Sequence, residues 1–229
     1  MFYFMALGFI CGLLIPITAS RFGKILPADP GTIFCSILHR PHFPMGVTDS
    51  HRRKLIQKWW KMLFFSLFWA VFLALCFGGA FSLIGFEYIL WFNLFFFLIA
   101  CLIAVDQQYY LLPDFFTIPL LILGFGFSAF TGMISPIESF CGSLYAYLIA
   151  MLSVMLMRSI NARAEFGAGD AKMMAGLGAW VGYMGVNYIL ILSFLFFALS
   201  ALIKRKDVGA FGPALGLASI LILFAVYMK

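Results

Sequence analysis

What most limits the folds open to this chain is its succession of uncharged apolar windows, several of them eighteen residues or longer. A run of that length crosses the hydrocarbon layer of a bilayer as a helix. Lipid offers no partner for backbone N–H and C=O groups, so each crossing must satisfy its own hydrogen bonds. With 64% of its 229 residues hydrophobic and only 10% charged, the chain is neither a disordered polymer nor an ordinary soluble globule. The expected fold class is all-α: a polytopic membrane helix bundle of about eight transmembrane helices.

The spans are expected near 2–19, 62–81, 86–105, 115–133, 137–157, 171–183, 188–203 and 210–228. The first lacks a basic leader segment and a small-residue cleavage site, so it is read as a retained helix rather than a signal peptide. Three regions follow: 1–19 as the first transmembrane helix, 20–61 as a basic loop, and 62–229 as a seven-helix membrane core. The loop carries eight of the fifteen Lys and Arg residues. At its end Trp59 and Trp60 stand beside Arg52, Arg53, Lys54 and Lys58, as in a helix lying on anionic headgroups. The sixth span is extended by the weakly polar Gly185-Val186-Asn187 before the seventh begins.

The net charge of +6 is then a statement about topology rather than about nucleic acid. If the long first loop faces the cytoplasm, eight crossings put 106–114, 158–170 and 204–209 on the same side. Fourteen of the fifteen basic residues then fall on that side or its interface. This arrangement sets Asp106 and Asp170 at the cytoplasmic ends of spans three and six. Glu87 and Glu138 fall on the other side as surface groups.

Acids at a membrane boundary are costly and mark function by default. Asp170 follows two glycines in Phe166-Gly167-Ala168-Gly169-Asp170-Ala171-Lys172, and glycine lets another chain come close. Asp106 opens the loop that ends Leu111-Leu112-Pro113-Asp114. Two neighbouring carboxylates tend to share one proton. One can then take a proton from water while the other polarises a carbonyl and later protonates the leaving amine. The plainer alternatives are that Asp106 only ends a helix, that Asp114 and Asp170 are N-caps, that Glu165 is a solvated loop acid, and that Lys172 snorkels to the headgroups. Neither an HExxH helix nor a GxSxG elbow occurs, so metalloprotease and serine-hydrolase readings lack support. No CxxC occurs; a Cys35/His39/His42/His51 metal site in the first loop fits no standard spacing. A proton relay or transporter would want acids at mid-span, and a non-catalytic assembly scaffold would not need them at all.

These stretches resemble the bacterial type IV prepilin peptidases. The segment from Phe166 through Gly178-Ala179-Trp180 is similar to that family's GxGDxK and LGAW block. Asp106 through Pro113-Asp114 resembles its D…LLPD block, and Phe211-Gly212-Pro213 its FGP element. The resemblance implies an aspartic endopeptidase of the bacterial inner membrane with its active site facing the cytoplasm. It would remove the basic leader of prepilins or pseudopilins after a glycine. Asp106 and Asp170 match the catalytic pair, while Asp114, Pro113, Glu165, Gly167, Gly169 and Lys172 shape the site. Proteolysis of this kind needs no cofactor. Many members also methylate the new N-terminus with S-adenosylmethionine, an activity the altered first loop leaves open here. That loop holds Cys35 where many members carry two CxxC pairs, so zinc is not expected. The expected partners are the pilin-like substrate and membrane lipid, anionic headgroups included, and no nucleic acid.

Overall fold

The computed structural model describes residues 1–22, 49–83, 86–160, 168–204 and 210–227. Among these residues the regular structure is helical throughout, with no strand. The helices are α1 (Phe2–Phe22), α2 (Asp49–Leu83), α3 (Ile89–Tyr109), α4 (Asp114–Thr131), α5 (Pro136–Ile160), α6 (Ala168–Lys204) and α7 (Gly212–Tyr227). Five described stretches are long and apolar enough to cross a membrane: Leu63–Leu83, Ile89–Tyr109, Asp114–Thr131, Pro136–Leu156 and Ala168–Leu202. Phe2–Pro16 and Gly212–Tyr227 are shorter apolar helices. The bundle's outer surface is rich in exposed Phe, Leu and Ile, as a lipid-facing surface requires.

The chain reverses its direction inside α6. Gly182 has φ +69° and ψ 179°, a conformation that glycine alone adopts cheaply. Trp180 lies beside Tyr227 at the C-terminal end of α7, whose hydroxyl donates to the Trp180 carbonyl at 2.6 Å. Phe194 and Phe197 instead lie beside Phe211 at the start of α7, with ring centroids 5.7 and 5.6 Å away. The chain therefore descends from Ala168, turns at Gly182 and climbs back. The sixth span, expected to end near Tyr183 with an extension through Gly185-Val186-Asn187, thus ends at Gly182, and the extension belongs to the returning half. Val186 is buried, and the Asn187 amide accepts from the Tyr145 hydroxyl at 2.8 Å. A polar residue with a partner can stay in a helix within lipid. The positive φ ends the descending half, not the polarity.

The segment 51–61 is helical, as expected, and runs unbroken into the next span as part of α2. The stretch from Asp106 to Tyr109, expected as loop, is the last turn of α3. Tyr110 closes that turn in the left-handed region (φ 55°, ψ 37°), its N–H donating to the Asp106 carbonyl at 2.9 Å. This conformation is unusual for a residue with a Cβ and costs on the order of 1–2 kcal/mol.

Small residues set the close crossings, as expected where lipid tails remove any hydrophobic drive between helices. At the α5–α6 crossing a Cβ on Gly142 would sit 2.6 Å from the Gly178 carbonyl oxygen. Ser139 secures the same crossing, its hydroxyl donating to the Ala179 carbonyl at 2.6 Å. One residue along, Trp180 is fully buried against Phe127 and Phe95, each with a ring centroid 5.0 Å away. Its indole N–H donates to the Leu120 carbonyl at 2.9 Å. Leu177-Gly178-Ala179-Trp180 is therefore the joint that packs α3, α4, α5 and α7 around α6.

Candidate active site

Four helix termini meet at one end of the bundle: the C-terminus of α3 and the N-termini of α4, α6 and α7. The first two are adjacent because only residues 110–113 separate them. Pro113 sets the entry to α4, with φ −72° and ψ 140°, and its carbonyl accepts from the Phe116 and Thr117 N–H groups. The other two termini are fastened by polar contacts from the sequence blocks already singled out.

Asp106 lies three residues from the end of α3 and is 5% exposed. Its Oδ2 accepts a hydrogen bond from the Gly212 N–H at 2.9 Å. Gly212 is the first residue of α7, so the carboxylate faces a helix N-terminus, where unpaired N–H groups and the helix dipole favour negative charge. A Cβ at 212 would stand 2.5 Å from that oxygen and 2.9 Å from Cγ. Glycine is therefore the residue that permits the bond. Phe211 supplies the cap carbonyl for α7, accepting from the Leu215 N–H at 3.1 Å. Gly212 is not among the site residues that the sequence motifs assign; its signal is the Phe211-Gly212-Pro213 triplet at the head of the final apolar run. Gly212→Ala should lower the thermal unfolding midpoint in detergent, with overpacking on the order of 1–3 kcal/mol, and should slow any Asp106-dependent reaction. An unchanged midpoint and unchanged turnover would remove Gly212 from the site.

Asp170 is the third residue of α6 and half-buried. It sits inside the first turn and not at the cap, because the described helix already begins at Ala168. The preceding Gly169 lies against the other block: a Cβ there would be 2.8 Å from the Leu112 Cβ and 3.0 Å from the Leu112 carbonyl oxygen. The glycine beside Asp170 thus admits the Leu111-Leu112-Pro113 backbone to the start of α6.

Asp114 begins α4 but does not cap it; no side chain caps that terminus. Its carboxylate instead holds Lys172, whose Nζ donates to Oδ1 and Oδ2 at 2.7 Å each. Lys172 is thereby engaged with a protein acid rather than reaching alone for headgroups. Gly167 and Glu165 lie outside the described residues, as do Cys35, His39 and His42. Among the described residues no group of three or more His, Cys, Asp and Glu could hold a metal ion.

Asp106, Asp114, Asp170, Lys172, Gly169 and Gly212 thus share one end of the bundle. The two aspartates, 64 positions apart in sequence, therefore lie at the same end of the bundle.

Together these features define a polytopic helical membrane protein with acids from two separate sequence blocks gathered at one end. The stretch 91–202, which carries both aspartates, matches the type IV leader peptidase family. Curated relatives named prepilin leader peptidase/N-methyltransferase share this similarity. The protein from Neisseria gonorrhoeae is 32% identical over 126 residues, covering 54% of this chain and 43% of its own. That from Escherichia coli (strain K12) is 32% identical over 134 residues, covering 56% and 60%. That from Aeromonas hydrophila is 30% identical over 127 residues, covering 52% and 44%. The chain spans about half the length of the curated relatives it matches. No solved structure matches it.

Proposed function

We propose that this protein is a membrane aspartic endopeptidase that removes the basic leader of type IV prepilins or pseudopilins. In this reading it is a multi-pass protein of the bacterial inner membrane, and it cuts after a glycine on the cytoplasmic side. The observation that carries the reading is the meeting of the Asp106 and Asp170 blocks at one end of the bundle, through Leu112–Gly169 and Asp114–Lys172.

The chemistry needs one water and one shared proton. The ionised member of the Asp106/Asp170 pair takes a proton from water as its oxygen attacks the scissile carbonyl carbon. The protonated member donates a hydrogen bond to the carbonyl oxygen, which gains charge as the tetrahedral intermediate forms. Collapse breaks the C–N bond, and the leaving amine is protonated from the pair, which returns to its starting charge. Gly212 fixes one oxygen of Asp106, leaving Oδ1 for water or substrate.

The relatives are named N-methyltransferases as well as peptidases, and S-adenosylmethionine is the donor such a second step would use. The two described glycines at this end are already filled, Gly169 by Leu112 and Gly212 by the Asp106 carboxylate. They do not form a cradle for a nucleoside cofactor.

Co-expression with a prepilin, followed by an N-terminal mass spectrum of the product, tests the reading. Loss of the leader mass is expected, and an added methyl mass would report the second activity. An intact precursor would overturn the assignment.

A further inference from the structure

The Asp114–Lys172 ion pair has a geometry that a purely structural tie does not require. Both carboxylate oxygens accept from the same ammonium at 2.7 Å, yet the two side chains are 54% and 45% exposed. An ion pair so open to solvent contributes little stability, so exchanging its cation is cheap. Asp114 also lies in the first turn of α4, where a carboxylate is favoured even without a partner. At this end of the bundle Asp106 is buried and occupied by Gly212, and Asp170 is half-buried. Among the described acids there, Asp114 is the one open enough to receive an incoming cation.

We propose that Lys172 is a placeholder on Asp114 for a Lys or Arg side chain of the substrate, which displaces it on binding. The inference rests on the leader-peptidase reading and deepens it: Asp114 becomes the specificity residue for a basic peptide, and Lys172 its internal competitor. Binding swaps one ammonium–carboxylate contact for another, so no net charge is buried. The Lys172 side chain is freed two positions from Asp170, and selectivity for basic leaders is obtained at little cost to the fold.

The test compares two synthetic prepilin peptides, one with its basic leader and one with each leader Lys and Arg replaced by Gln. The full chain is used in detergent, with Asp106→Asn as the inactive control. For the basic peptide, Asp114→Asn should raise KM and Lys172→Met should lower it, each by up to about fivefold, the ceiling for an exposed pair. For the neutral peptide neither should move KM. The exchanged variant, Asp114→Lys with Lys172→Asp, restores the tie between α4 and α6. It should recover the thermal midpoint of the parent chain while KM for the basic peptide stays raised. A mere tie between helices gives a different pattern: both peptides shift alike in the single variants, and the exchange restores KM with the midpoint. That pattern overturns the proposal. If the parent chain cleaves neither peptide above the Asp106→Asn control, the peptidase reading itself falls, a result the KM comparison cannot mimic.

Discussion

A chain carrying Asp106→Asn should insert, unfold at nearly the parent temperature, and cleave a prepilin leader about 10²- to 10⁴-fold more slowly, the range spanned by a lost general acid or base. The expectation of an intact fold comes from the contact that holds Asp106. Asparagine has almost the same shape, and its amide oxygen can accept the Gly212 N–H in place of Oδ2. What it loses is the capacity to carry or share a proton. Asp170→Asn should behave alike. Leader loss read by mass spectrometry, beside thermal unfolding in detergent, separates the two quantities. Wild-type turnover by either variant would end the aspartic mechanism. A collapsed midpoint would recast Asp106 as a structural clasp between α3 and α7.

The largest effect on stability is expected at Trp180→Ala. This side chain is fully buried, stacks on Phe127 with Phe95 tilted against it, and donates its N–H to the Leu120 carbonyl. Truncation leaves a void among α3, α4 and α6, and the hydrogen bond to α4 goes with it. Large-to-small aromatic changes in packed interiors cost about 3–5 kcal/mol. In lipid the transfer part of that figure shrinks, because hydrocarbon is as apolar as the core, so about 3 kcal/mol is expected from lost packing and the bond. Trp180→Phe isolates the hydrogen bond and should cost about 1 kcal/mol. Thermal midpoints of the two variants in one detergent measure the difference. Equal midpoints for Ala and Phe would mean that the ring stack contributes nothing.

Much of this architecture was readable from hydropathy. Most helices fall within a few residues of the apolar windows, since in a bilayer apolar length and helix length are tied by the same constraint. The exceptions have local causes. Gly185-Val186-Asn187 reads as an extension of the sixth span, but it belongs to the returning half, where Tyr145 satisfies the Asn187 amide; the reversal falls to Gly182, whose φ no hydropathy pattern encodes. Asp114 suggested an N-cap because residue type and position allow it; its real partner stands 58 positions away on another helix. In the candidate site, the aspartates and the glycine beside Asp170 were legible as motifs. The bond from Gly212 to Asp106 spans 106 positions and passes through a backbone N–H that every residue but proline owns, so side-chain chemistry gave no hint of it. Glu165 and Gly167, expected to shape the site, lie outside the described residues and keep the status of expectations.

The clasp between Asp106 and the head of α7 also orders events at the ribosome. A nascent chain that has emerged only through α6 already holds both acids, yet it lacks the donor that orients one of them. In the proposed mechanism, competence therefore waits for synthesis of residues 211–213. Stalled chains released before that point should be inert toward prepilin, and supplying α7 as a separate polypeptide should awaken them.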